Sequence, residues 1–186
     1  LMPGTTFAEA RGGRTSGTVV RWSPGSKGWE VIRGTELAYN NGIEVSPDGR
    51  EIYVASSGSS IVVAYSSGNP ARRLRATGVL EFVPDNLHLD DHGSVLTAGM
   101  KLDEPACGGA RGVQDFEKLR SCPRPTIAAS IDPATMHATT LFMAPANPVF
   151  SNATMAIAVG EALWLGTFSG DRIAIGGDRI APGAPR

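Results

Sequence analysis

Along most of the chain, apolar and polar residues alternate over short runs bounded by Gly, Pro, Asn, Asp or Ser, which is the signature of half-buried strands joined by tight turns. Three segments share one pattern: Asn41 to Ala55, Asp85 to Ala98, and Ala153 to Gly166. Each reads as a short strand, a turn with a glycine, and a second strand, so each predicts a β-hairpin. In the first strands the apolar positions are Ile43 and Val45, Leu87 and Leu89, and Met155 and Ile157. A period of two places them on one buried face.

After the first hairpin, Ser60 to Tyr65 predicts a third strand and Arg73 to Thr77 a fourth. The next unit opens about 44 residues after the first, within the ~40–50 residues of a propeller blade. Upstream, Ser16 to Trp22 and Gly28 to Ile32 read as the two outer strands of a preceding blade, with Trp22 and Trp29 on those strands. The last unit ends after one hairpin and Asp171 to Ile175. The expected fold is therefore all-β: residues 1–186 form a partial β-propeller domain of four-stranded blades, with about three blades present. A propeller closes with typically 4–8 blades, so further blades are expected upstream of Leu1.

Residues 101–125 break the rhythm and read as a loop inserted within one blade, with a short helical piece at Val113 to Leu119. Such a loop either carries substrate specificity or is a surface excursion without function. Cys107 and Cys122 enclose fourteen of its residues. A disulfide is the favoured reading, worth ~3 kcal/mol by loop closure, and two free thiols are the alternative. If the bond forms, the compartment is oxidising and the location extracytoplasmic.

Composition narrows the partners. The chain has 23 glycines and 13 prolines among 186 residues, which supply the turns, and 41% hydrophobic residues, which suffice for a core. With 17 basic against 18 acidic residues the net charge is −1, so no footprint for nucleic acid or an anionic membrane surface is expected. No apolar run approaches the ~18 residues of a membrane span, and no signal-peptide pattern opens the chain.

If the hairpins superpose, Asn41, Asp85 and Ala153 are equivalent, at the mouth of the central channel, with Asn86 one step beyond Asp85. Carboxylates and carboxamides converging on an axis are oxygen donors, and calcium takes 6–8 oxygens at ~2.3–2.6 Å. The same residues also serve as ordinary turn residues leading into strands.

Asn41-Gly42-Ile43-Glu44-Val45-Ser46-Pro47-Asp48-Gly49, followed by Ile52-Tyr53-Val54-Ala55, resembles the blade opening of the paraoxonase/arylesterase family and of its gluconolactonase and strictosidine-synthase-like relatives. Pro84-Asp85-Asn86-Leu87 resembles the paraoxonase branch more closely, since gluconolactonase relatives commonly have Asp-Gly there, and Gly160 to Thr167 is similar to the last paraoxonase blade. The resemblance implies a six-bladed, calcium-dependent propeller that hydrolyses small lactones or aryl esters. It carries the metal-ligand role onto Asn41, Asp85 and Asn86. The remaining ligands and the family's histidine dyad are expected upstream, and a further family histidine aligns near Met100 and is absent. No catalytic residue is assigned.

Two other readings stand beside a paraoxonase-like hydrolase. One is a gluconolactonase-like or strictosidine-synthase-like enzyme, and the other is a non-catalytic propeller that serves as a binding scaffold. His88 on its strand, His92 in a turn and His137 in a hairpin turn are read as non-catalytic. Trp164 is read as a packing residue between sheets, and Asn152-Ala153-Thr154 as a chance match to a glycosylation sequon.

Overall fold

The computed structural model describes residues 6, 9–10, 12–101, 104–108 and 120–176. The strands are β1 (Gly17–Arg21), β2 (Glu30–Leu37), β3 (Asn40–Val45), β4 (Glu51–Ser56), β5 (Ile61–Ser66), β6 (Arg73–Ala76), β7 (Phe82–Leu89), β8 (Val95–Lys101), β9 (Thr126–Ile131), β10 (Ala138–Ala144), β11 (Ala153–Val159), β12 (Ala162–Thr167) and β13 (Ala174–Gly176). They form four antiparallel sheets in chain order: β1-β2, β3-β4-β5-β6, β7-β8-β9-β10 and β11-β12-β13. Each sheet is an up-and-down meander, and β3, β7 and β11 are the inner strands, β7 lying against both of the others. This is the all-β propeller arrangement that the repeats predict.

Two apolar layers between sheets hold the arc together. Tyr53, Ala55, Val62 and Ala64 pack against Phe82, Leu87, Val95, Ile127 and Ile131. On the opposite face of the same sheet, Leu96, Ala98 and Ala128 pack against Ala156, Leu163 and Leu165. The middle sheets are covered on both faces, so β4, β5 and β8 are almost wholly apolar and buried. That is the pattern of a doubly covered strand rather than of a sheet with one wet face. A third layer, with Ile32 against Ile52, Val54, Val63 and Tyr65, seats β1-β2 on the first complete sheet.

The outward faces of the two end sheets are apolar and open. On β1-β2, Val20 and Val31 are register partners, 47% and 51% exposed. Trp22 and Trp29 lie just outside the strands that were expected to hold them, and are exposed. On the last sheet, Met155, Val159 and Ile175 are exposed. Trp164, half-buried, stands between Ile157 and Ile175 in register on this outer face rather than between sheets.

The loop expected over 101–125 runs between β8, which ends at Lys101, and β9, which starts at Thr126. It holds a short 3₁₀ turn at Pro105–Cys107, with the Glu104 side chain accepting from the Ala106 N–H. The helical piece predicted at Val113 to Leu119 lies outside the described residues. No helix among the described residues is long and apolar enough to cross a membrane.

Candidate metal centre

The three inner strands share one irregularity. Between Asn40 and Ile43 of β3, between Pro84 and Leu87 of β7, and between Ala153 and Met155 of β11, the inner strand holds one residue more than its partner. Such bulges bend a strand and re-aim its side chains, and they concentrate beside functional sites. Ile43, Leu87 and Met155 follow the bulge at equivalent register positions, opposite Val54, Thr97 and Gly166. The bulges thus carry Asn41-Gly42, Asp85-Asn86 and Thr154, with Ala153 in the place that Asn41 and Asp85 occupy.

The β3 and β7 bulges touch, and Gly42 is what lets them. A Cβ at that position would lie within contact distance of the Asp85 carbonyl oxygen and 2.7 Å from both the Asn86 Cα and the Leu87 nitrogen. With the backbones this close, the Asn41 side chain hydrogen-bonds the Asp85 carboxylate. Burial pushes the Asp85 carboxyl up to about 7, and the Asn41 amide offsets only part of that rise. No cation among the described residues contributes to its environment.

Ser57, in the turn after β4, completes the group. Its buried hydroxyl accepts from Asn41 Nδ2 at 3.1 Å and donates to the Pro84 carbonyl at 2.7 Å. Asn86 is exposed and turns the other way, its Nδ2 donating to the Thr154 carbonyl of β11 at 3.2 Å. Asn41 and Asp85 are therefore brought together, while Asn86 spans from the same bulge to the next inner strand. Nothing local in the Ser56 to Ser60 stretch distinguishes Ser57 from an ordinary turn serine, because its partners lie 16 and 27 residues away.

This donor set is one carboxylate and two carboxamides, all hard oxygen donors, of the type that calcium takes and zinc or copper do not favour. A partly buried carboxylate without a countercharge fits a cation site, since an unpaired buried charge is costly. Among the described residues no group of three or more His, Cys, Asp or Glu is placed to hold a metal ion.

Lower on the same inner strands, Glu44 of β3 reaches across to β7. Its Oε2 accepts from the Leu89 N–H at 3.2 Å and lies 3.7 Å from His88 Nδ1, with His88 half-exposed. His92 sits in the turn capped by the Asp90 carboxylate, and His137 ends the Asp132 to His137 turn.

The inserted loop is fastened beside this mouth. Cys107 and Cys122 form a disulfide with Cα atoms 5.8 Å apart. Asn152, fully buried and at φ 54°, accepts from the Arg124 N–H and donates to the Cys122 carbonyl and Ser169 Oγ. A residue so placed has no room for a glycan. It ties the base of the loop to the start of β11.

A family model described as the SMP-30/gluconolactonase/LRE-like region matches residues 2–143. Against curated proteins, nothing matches. Among solved structures, a luciferin-regenerating enzyme is similar at 16% identity and TM-score 0.49, over 75% of this chain and 40% of its own. A protein from Lactobacillus plantarum is similar at 13% identity and TM-score 0.45, over 85% and 49%. The β-propeller domain of Cps50 (Swd1) from Myceliophteria thermophila is similar at 16% identity and TM-score 0.40, over 83% and 57%. The chain thus spans roughly half the length of these structures. The family match takes in more than half of the sequence, including Asn41, Asp85 and Asn86, and the chain belongs to the SMP-30/gluconolactonase/LRE-like family.

Proposed function

We propose that this chain supplies blades of a six-bladed, calcium-dependent hydrolase ring that opens small lactones or aryl esters. The observation that carries the reading is the partly buried Asp85 carboxylate, paired with Asn41 across two touching bulges and lacking a countercharge among the described residues. Asn41, Asp85 and Asn86 would hold the ion. Once bound, calcium supplies Lewis-acid stabilisation to a substrate carbonyl. The chain's own residues do the rest of what is assigned here. Asp85 brings the negative charge, Asn41 and Asn86 bring neutral oxygens, and Ile43 and Val45, exposed along β3, offer an apolar wall. The base that activates water is not assigned to a residue of this chain.

The open apolar faces of the β1-β2 and β11-β13 sheets support a ring larger than these blades, since apolar faces of this kind are normally covered. The Cys107–Cys122 disulfide supports an oxidising, extracytoplasmic setting. The Asp85-Asn86 pair supports a paraoxonase-like substrate range, and a gluconolactonase-like one fits the family match as well.

The test is a calcium titration of the protein against thermal stability, with Asp85→Asn beside the wild type. Calcium should raise the wild-type melting temperature in proportion to the logarithm of its concentration, leave D85N unmoved, and support lactone hydrolysis that D85N lacks. Equal calcium response in both proteins would overturn the assignment. Absence of any response in the wild type would favour the non-catalytic scaffold.

A further inference from the structure

The Ser57 hydroxyl lies between the two strands that carry Asn41 and Asp85, and its surroundings leave it little freedom. Its backbone N–H donates to the Tyr39 carbonyl at 3.0 Å, while the Ser56 hydroxyl and the Gly58 N–H both donate to the Ala38 carbonyl. The turn is thereby bolted to the segment that leads into β3. A serine hydroxyl has one proton to give, and Ser57 gives it to the Pro84 carbonyl. Toward Asn41 it can only accept, so only the NH₂ end of that amide can face it.

The consequence reaches the site. The side chain of Asn41 also hydrogen-bonds the Asp85 carboxylate, and a carboxylate too can only accept. Both amide hydrogens are then committed, and Oδ1 is the atom left for a cation. The two ends of a carboxamide have nearly the same shape, and Ser57 adds to the Asp85 carboxylate a second partner that takes only the NH₂ end, holding Oδ1 toward the site.

We propose that Ser57 is a positioning residue: it sets the amide orientation of Asn41, so that Oδ1 faces a divalent cation. This rests on the calcium reading given above. Outer-shell partners of this kind change metal affinity by roughly 10–100-fold when removed.

The test is a double-mutant cycle read by calcium calorimetry and by terbium luminescence on the protein, with the metal-free melting temperature measured alongside. Ser57→Ala should weaken calcium binding roughly 10–100-fold in the wild-type background and less than about twofold in Asn41→Ala, because its effect passes through that amide. Ser57→Thr, which keeps the oxygen, should stay within a few-fold of wild type. The same loss of affinity in both backgrounds, or a lowered melting temperature with unchanged affinity, would overturn the role. If S57A does not fold, Ser57→Cys, similar in shape and a weak acceptor, runs the same cycle. Failure of the wild type to bind calcium overturns the underlying reading and needs no variant, so the two failures are distinguishable.

Discussion

At the bulge of β3 stand Asn41 and Gly42, at that of β7 stand Asp85 and Asn86, and at that of β11 stands Thr154 beside the fully buried Ala153. The backbone deviation is common to all three, and the chemistry is not. Ala153 joins the layer that holds Leu96, Ala98 and Leu163, and what β11 offers the site is a carbonyl, which accepts from Asn86. A repeat therefore sets where an inner-strand residue points, and the neighbouring sheet decides whether that position is a wet donor or part of the core. The difference also runs through the glycines. Gly42 lets two inner strands meet backbone to backbone, whereas Gly166, opposite the β11 bulge, has only the Met155 side chain near it, at 3.6 Å from where a Cβ would be.

The most damaging way to probe that contrast is to add one methyl group at each glycine. Gly42→Ala drives a Cβ into the backbone of β7 and should cost about 1–3 kcal/mol, the range for overpacking. Gly166→Ala meets an ordinary contact and should stay within about 1 kcal/mol of wild type. Urea denaturation at constant slope measures both. Equal losses would mean that β3 and β7 are no closer than the rest of the sheets.

Much of this arrangement is legible in the residues. The period-two alternation and the 44-residue repeat make Asn41 and Asp85 equivalent along the chain, and the bulges keep that equivalence. What is not legible depends on contacts distant in sequence. Ser57 reads as one serine in a turn because its meaning comes from Pro84, 27 residues on. Asn152 looks like part of a sequon, and its role comes from the Arg124 N–H and Cys122 carbonyl of an inserted loop. Trp22 and Trp29 read as strand residues because aromatics favour strands, yet the pairing of β1 with β2 closes at Arg21 and Glu30.

A second contrast lies in charge. In the metal-free protein the Asp85 carboxyl titrates near 7 because burial disfavours its ionised form, while the β11 bulge has no ionisable group. A folded-state value raised above the unfolded one means that the native state holds the proton more tightly. Stability from this group is complete below about pH 4 and is lost as pH rises through 7. A rise from the ordinary carboxylate range to about 7 caps the loss at ~4 kcal/mol, and the partial exposure of Asp85 reduces it to roughly 1–2 kcal/mol. The measurement is denaturation in chelator at pH 5 and pH 8, wild type against Asp85→Asn, so that other carboxylates cancel. D85N should be the more stable protein at pH 8, and saturating calcium should reverse that order. A wild type as stable as D85N at pH 8 without metal would place Asp85 in an environment no different from water.

The smallest effect separates the mouth of the channel from the level below it. Glu44 and His88 face each other across β3 and β7 as Asn41 and Asp85 do, yet at 3.7 Å and with His88 half-exposed. Exposed pairs of this kind contribute little, on the order of 0–1 kcal/mol. The stronger of the two Glu44 contacts to β7 is its bond from the Leu89 N–H, which does not need the imidazole. His88→Asn should therefore leave calcium affinity unchanged and shift stability by less than about 1 kcal/mol, whereas Glu44→Ala, which also strips the Leu89 N–H of its acceptor, should cost more, about 1–2 kcal/mol. If H88N instead lost hydrolysis while keeping calcium affinity, the two levels of the channel would form one catalytic unit, and the division between a ligand-bearing mouth and a structural level beneath it would fall.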